Sequence, residues 1–414
     1  MDNDTVRTIE AQGPGSVLEE IARQGAQRML AQAMEAEVAE FMALHAERRD
    51  GDGRQLVVRN GHLPERDLVT GIGPVRVKQP RVDDRRLTEE GQPRFSSAIL
   101  PRYLRRAPSV DGLIPVLYLK GVSSGDFSEA LQAILGEGAP GLSAANVVRL
   151  KSGWEQEYQQ WTRRDLSDKR YVYFWADGIH VNVRLDAERS CILVIMGADE
   201  HGRKELVAVS DGYRESTESW REILLDLRRR GLTVAPRLAS ADGALGFWAA
   251  LREVYPDTEE QTCWFHKAGN VLDKMPRSVQ SKANTMIREM WQAPSLQEAT
   301  AAYEQFCEAW EAKYPKAVEC LRKDERSLFS FYRFPAEHWT HLRTTNPIES
   351  TYATIRLRTR RTKGCGSRTA TLTMVWKLAL EAEKRWRRLM GFKLIPLVIE
   401  GRAFVDGELM EAAA

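Results

Sequence analysis

Asp177, Asp242 and Glu349 are the residues of this chain whose surroundings best suit chemistry. Asp177 closes an aromatic and β-branched run, YVYFWADG. Asp242 closes a shorter apolar run, RLASADG. Glu349 lies in TTNPIES, directly before a stretch rich in arginine. Three carboxylates converging from two strands and a helix start offer the oxygen donors that Mg²⁺ takes, and two such ions about 3.5–4 Å apart are able to cut and rejoin phosphodiesters. The plainer alternative is that Asp177-Gly178 and Asp242-Gly243 are simply two turns, because Asp-Gly is a common turn dipeptide.

The segment after Glu349 supplies what a polyanionic substrate needs. From Ser350 to Leu380 there is no Asp or Glu, whereas Arg356, Arg358, Arg360, Arg361, Lys363, Arg368 and Lys377 are basic. On a helix Glu349 and Arg356 share a face two turns apart, so Arg356 would reach a phosphate beside the one being cut. A run of charge is usually a solvated face; here the missing counter-charges favour phosphate binding.

The elements that must position these groups follow from periodicity. YVYFWA, HVNVRL, CILVIMGA and ELVAVSDGY read as strands, the first two separated at Asp177-Gly178. A helix over 216–230 follows, capped by Ser216 or Thr217 and closed by Gly231. Then come the short strand RLASADG, the helix GFWAALREVYP, and EQTCWFHK as a strand or strand end. Antiparallel strands followed by alternating helix and strand is the order expected of an RNase H-like sheet. Residues 270–335 lose the strand pattern and read as helices rich in aromatics, Trp291, Tyr303, Phe306, Trp310 and Tyr314 among them. They interrupt the α/β pattern as an all-helical insertion.

The N-terminal third has a different texture. Residues 16–47 predict one amphipathic helix with a Ser16/Glu19 capping box, packed on its own domain or pairing with a second subunit. Residues 50–84 alternate like a small basic hairpin. Residues 110–160 read as three helices. The third carries Asn146, Arg149 and Lys151, and suits either a helix-turn-helix reader of the major groove or an ordinary bundle. The expected organisation is 1–48 as the N-terminal helix, 49–105 as the basic hairpin region and 106–165 as the helix-turn-helix-like domain. The catalytic core then spans 166–269 and 338–400, split by a helical insertion at 270–337, with 401–414 as a mobile tail.

Two further pairs hold metal-binding residue types. Cys263 and His266 form Cys-x2-His after Asp242, and His338 and His341 form His-x2-His before Glu349. Together they would make a four-ligand zinc site clasping insertion to core. Otherwise Cys263 is a buried strand cysteine and His266 a hydrogen-bonded helix residue.

Bulk properties bound the answer. With 43% hydrophobic and 29% charged residues the chain reads as globular, and a net charge of +2 excludes no partner. No apolar run approaches the ~18 residues of a membrane span, and the polar N-terminus lacks the apolar segment of a secretory signal. Five unevenly spaced cysteines argue for a reducing compartment. A cytoplasmic, nucleoid-associated location is expected.

Several long words strongly resemble the Mutator-type bacterial insertion-sequence transposases. They are DGIHVNVR, SADGALGFWAALREVYPDTEEQTCWFHKAGNVL and LRTTNPIESTYATIRLRTRRTKG, with EEIARQGAQRMLAQAMEAEVAEFM, RNGHLPERDLVTGIGPVRVKQPRV and LYLKGVSSGDFSEALQAILG in the N-terminal part. The resemblance runs from about residue 17 to 400. It implies a DDE transposase with an α/β RNase H-like core interrupted by an all-α insertion, behind a mainly helical N-terminal DNA-binding region. It implies Asp177, Asp242 and Glu349 as ligands of two Mg²⁺ ions, with Mn²⁺ as a substitute. The implied partners are the terminal inverted repeats, target DNA and at least a second copy of the chain, and a circular DNA intermediate is implied as well. A Cys-x2-His at this place is also a feature of the wider Mutator-like and hAT-like transposases. A DNA-binding protein that kept the scaffold without strand transfer, and a nuclease that cuts without joining, are the alternatives.

Overall fold

The computed structural model describes residues 13–86, 95–120, 122, 127–135, 144–181, 190–212, 215–243, 245–361 and 367–410. The chain divides into two compact units, Met1–Leu150 and Lys151–Ala414.

In the first unit a long helix α1 (Gly13–Leu44) precedes four short strands, β1 (Val57–His62), β2 (Arg66–Thr70), β3 (Gly73–Val77) and β4 (Pro80–Asp84). β2 and β3 form a tight antiparallel hairpin, and β1 pairs with β4. Strand alternation sends neighbouring residues of β2 into two different cores. Leu68 joins Met34 of α1 with Val75, Val77 and Leu100, while Val69 joins Val110, Leu131 and Leu135. The latter three lie on α2 (Pro108–Lys120) and α3 (Phe127–Leu135). The helix packs on its own unit through one stripe only. Met34 and Val38 are buried, but Leu18 and Ile21 stay 69% and 56% exposed.

The next helix, α4 (Ala144–Thr162), crosses the unit boundary. Its second half belongs to the second unit: Trp154 and Tyr158 are buried, the Tyr158 hydroxyl donates to the Val209 carbonyl at 2.8 Å, and Trp161 packs on Trp376. This corrects the expected domain edge at residue 165. The aromatic half of α4 is core, so only its first half is left for reading a groove. The side chains of Asn146, Arg149 and Lys151 lie outside the described residues.

The second unit is built on a five-stranded mixed sheet. Its strands are β5 (Tyr171–Val181), β6 (Ser190–Asp199), β7 (Lys204–Gly212), β8 (Leu238–Ala241) and β9 (Glu259–Thr262), in the order β7-β6-β5-β8-β9. The first three are antiparallel; β8 and β9 run parallel to β5. Between them come α5 (Thr217–Arg229) and α6 (Leu245–Val254). Ser216 caps α5 by accepting from the Ser219 N–H, and Gly231, at φ +103°, ends it as expected. Trp220, Leu224, Phe247 and Leu251 of these helices pack on Phe174, Ala176, Leu193 and Ile195 of the sheet.

Asp177-Gly178 is not a turn. β5 runs straight through it, Asp177 facing Val194 and Gly178 facing Leu193 across the antiparallel pair. The continuous hydrogen-bond ladder with β6 outweighs the local preference of the dipeptide. Asp242-Gly243 lies just past the end of β8, with Gly243 at φ +77°.

Helices follow from Trp264 onward, six residues earlier than expected: α7 (Trp264–Leu272), α8 (Arg277–Gln292), α9 (Leu296–Trp310), α10 (Pro315–Arg322) and the short α11 (Glu325–Leu328) and α12 (Trp339–Leu342). Phe306 and Trp310 are buried there, and Trp291 packs edge-on against Trp264. The chain returns to the sheet with α13 (Asn346–Arg361) and α14 (Arg368–Glu383), and then forms α15 (Ile395–Ile399). Residues after 400 were expected to be a mobile tail. Instead β10 (Phe404–Val405) and β11 (Glu408–Leu409) make a hairpin that turns on Asp406 and Gly407, both at positive φ. Phe404 is buried, and Asp406 accepts from the Leu296 N–H at 2.6 Å.

Candidate active site

Strand alternation places Tyr173, Trp175 and Asp177 on the face of β5 opposite α5 and α6. The first two are fixed from that side: the Tyr173 hydroxyl bonds His338 Nδ1, and the Trp175 indole donates to the His341 carbonyl. Asp177 is 8% exposed, and its Oδ1 accepts from the Gly178 N–H at 2.8 Å. Its own carbonyl accepts from the buried Tyr352 hydroxyl at 2.8 Å, which pins α13 to β5. β8 lies parallel beside β5 with Ser240 level with Trp175. Two residues further along come Asp177, still within β5, and Asp242, just past the end of β8, so the two acids stand at the same level.

Glu349 enters from the first turn of α13, where the Thr345 carbonyl accepts from the N–H groups of Ile348 and Glu349. Its Oε1 lies 3.3 Å from His266 Nε2, in the first turn of α7. A tie between the two helix starts makes this contact. Buried Cys263 precedes α7, and its sulfur accepts from both the N–H and the hydroxyl of Thr345 at 3.2 and 3.3 Å. The Trp264 N–H adds a bond to the Arg343 carbonyl at 2.9 Å. Two helix N-termini thus meet at the strand ends, and their partial positive charge favours anions there.

The electrostatics are those of crowded carboxylates. Burial, with Asp242 and Glu215 adding to it, pushes the Asp177 carboxyl up to about 7, against the opposing pull of His266. Burial works against a charged His266, yet the Cys263 sulfur and the Asp177 and Asp242 carboxylates outweigh it and lift the ring to about 9. Burial and then Asp242 also hold Glu215 above the ordinary range. An imidazolium here partly offsets negative charge that a bound cation would offset more fully. All three predicted acids offer hard oxygen donors, which fits Mg²⁺. Among the described residues their ligand atoms do not all gather within 4.8 Å of one another.

The four expected zinc ligands are not brought into one group. Among the described residues no cluster of metal-binding atoms includes Cys263, His266, His338 or His341. His338 uses its other ring nitrogen, 3.0 Å from the Gly391 carbonyl; His341 lies 3.4 Å from the Lys204 amine and accepts from the Met390 N–H. Burial and Lys204 push His341 down to about 4. The His pair locks the sheet to the chain around 390, while His266 turns to the acids.

Of the basic segment, α13 carries Arg356, Arg358, Arg360 and Arg361. Arg356 is exposed, its guanidinium 5.8 Å from the Tyr352 ring centre. The side chains of Arg358, Arg360 and Arg361, and all of Lys363, lie outside the described residues. Sequence reasoning missed two participants. His266 was read as a zinc ligand or a plain helix residue, although its place in the first turn of a helix after β9 was a usable signal. Glu215, in a turn with no motif, carried none.

Comparison with known proteins bears on the whole chain. The model of the family described as "Transposase, Mutator family" matches residues 3–389. A transposase for insertion sequence element IS6120 of Mycolicibacterium smegmatis is 53% identical over 299 residues, covering 72% of this chain and 92% of the relative. One for element IST2 of Acidithiobacillus ferrooxidans is 49% identical over 286 residues, covering 67% and 94%. Among solved structures, the Drosophila P element transposase strand transfer complex aligns over 76% of this chain and 87% of its own, at 12% identity and a TM-score of 0.27.

Proposed function

The chain belongs to the Mutator family of transposases, and from that premise we propose that it cuts and joins DNA strands at the ends of its own insertion sequence, using Asp177, Asp242 and Glu349. The observation that carries this reading is the meeting of acids from separate elements. Asp177 from β5 and Asp242 from the end of β8 both bear on His266, which touches Glu349 of α13. A fold has little structural reason to turn three carboxylates toward one histidine where burial lifts one of them to about 7.

On this reading the sheet is an RNase H-like core and α7–α12 its helical insertion. Mg²⁺ held by the three acids would supply Lewis acidity and charge neutralisation at the scissile phosphate. Asp177, locked in the sheet, is the rigid member. Glu349 is set by the tie between Thr345 and Cys263, and His266 keeps its carboxylate turned inward. Arg356, two turns along α13, would bind the neighbouring phosphate, and the basic residues after it the flanking duplex. Phe265, 55% exposed beside His266, has the flat face on which an unpaired base would stack. No Ser or Tyr nucleophile is required. The inverted repeats would be read by the first unit. Two element ends must be held together, which makes a dimer the smallest working assembly.

The test is a gel assay with a terminal-repeat duplex, a target duplex and Mg²⁺. Cutting followed by joining is expected, with Asp177→Ala, Asp242→Ala and Glu349→Ala each abolishing both while binding persists. Binding without cutting would overturn the catalytic reading, and cutting without joining would leave a nuclease.

A further inference from the structure

The opposite face of β5 carries a second group of metal-binding atoms. Alternation turns Gly178 and His180 away from Asp177, toward the side of α5 and α6. His180 stands directly across the antiparallel pair from Cys191 of β6. Glu215, just before the cap of α5, comes over Gly178: a Cβ at that position would lie 2.4 Å from the Glu215 carboxylate. The backbone of Glu215 is equally close to α6, since a Cβ on Gly246 would collide with its carbonyl. Two residues without side chains thus seat the Glu215 carboxylate against the strand. His180 Nε2 lies 3.5 Å from Glu215 Oε1, and one ligand atom each from His180, Cys191 and Glu215 lie within 4.8 Å of one another. Among the described residues this is the only such group of three.

We infer that His180, Cys191 and Glu215 form a site for a thiophilic divalent cation of the zinc class, distinct from the Asp177, Asp242 and Glu349 acids. One imidazole, one sulfur and one carboxylate oxygen is a donor set of mixed softness that suits zinc and not Mg²⁺. Bond lengths of about 2.0–2.3 Å put tetrahedral ligand atoms roughly 3.3–3.8 Å apart, so the His180–Glu215 separation already matches, with the sulfur within 4.8 Å of both. His180 and Glu215 are partly exposed while Cys191 is buried, which leaves an entry path and a fourth position open to solvent. Burial, and after it the carboxylates of Glu215, Asp177, Asp211 and Asp242, push the Cys191 thiol up to about 12, and a cation bound beside the sulfur would offset that surrounding negative charge. The ion would tie β5 to β6 and to the start of α5, directly behind Asp177.

The experiment uses the full chain, stripped with a chelator and titrated with Co²⁺ as a spectroscopic probe, then with Zn²⁺. One equivalent of Co²⁺ should give a thiolate-to-cobalt charge-transfer band, displaced by Zn²⁺ and untouched by millimolar Mg²⁺. Cys191→Ala should abolish the band. Because Cys191 is part of the core, His180→Ala and Glu215→Gln serve as second variants; each should weaken Zn²⁺ binding at least tenfold with the melting curve of the stripped protein little changed. Asp242→Asn should keep the band, which separates this site from the catalytic acids. Co²⁺ binding without a thiolate band, or a band of full affinity in both His180→Ala and Glu215→Gln, overturns the assignment.

Discussion

Asp177→Asn should stabilise the chain while ending its chemistry, and the gain should depend on pH in a calculable way. Asp177 has an ordinary value of 3.8, which burial raises to about 7 in the fold. Between those two values the folded chain holds a proton that the unfolded chain has released, so stability falls as pH rises from about 4 to about 7. Each unit is worth about 1.4 kcal/mol. The cost is therefore roughly 1.6 kcal/mol at pH 5 and about 4 kcal/mol at pH 8. Asparagine keeps the shape and an acceptor for the Gly178 N–H, but never ionises. Its amide protons lack assured partners, which subtracts about 1–3 kcal/mol at every pH. The widening of the gap between variant and wild type is free of that subtraction. From pH 5 to pH 8 it should be about 3 kcal/mol, or roughly 6–10 °C in melting temperature for a unit of this size. The assay is thermal unfolding of both proteins in chelator-containing buffer at the two pH values, repeated with Mg²⁺ at pH 8. Mg²⁺ should raise the wild type and leave the variant unmoved. A gap no wider at pH 8 than at pH 5 would refute the argument that Asp177 carries a buried, poorly compensated charge. His266 adds to the slope above neutrality. Its folded value of about 9 exceeds the ordinary 6.5, so its contribution is complete below 6.5 and lost as pH rises through about 9.

Three further outcomes are expected. His266→Ala frees the Glu349 carboxylate and should lower strand cleavage by about 10–100-fold, the range seen when groups that orient metal ligands are removed; unchanged cleavage with normal melting would remove His266 from the site. Replacing Arg358, Arg360 and Arg361 together by Ala should weaken binding to all duplexes alike and flatten the slope of log K against log salt by about 2–3, and an unaltered slope would make this helix a solvated face. Leu18→Glu combined with Ile21→Glu puts charges on the exposed apolar residues of α1 while sparing Met34 and Val38 in the core; light scattering should report a monomer, and a persistent dimer would place the pairing surface elsewhere.

The sequence alone determined whatever depends on periodicity and local chemistry. The order of strands and helices in the second unit, the Ser216 cap and Gly231 stop of α5, and the helical run rich in aromatics were all legible. Each is written in a few neighbouring residues, and the long words around the acids named a family that the comparison with known proteins supports. Tertiary structure decided what depends on partners distant in the chain. β5 passes through Asp177-Gly178 because β6 supplies a ladder of partners the dipeptide cannot reveal. The second half of α4 is core because its aromatics find Val209 and Trp376. The hairpin of β10 and β11 is held because Asp406 accepts from the Leu296 N–H at the start of α9, across more than a hundred positions. Cys263 and His266 belong to the acids rather than to His338 and His341, because Thr345 ties two helix starts together. Glu215 acquires a role only where two glycines leave room for it. These are long-range pairings whose strength comes from burial and convergence, and no local window of sequence encodes which groups will converge.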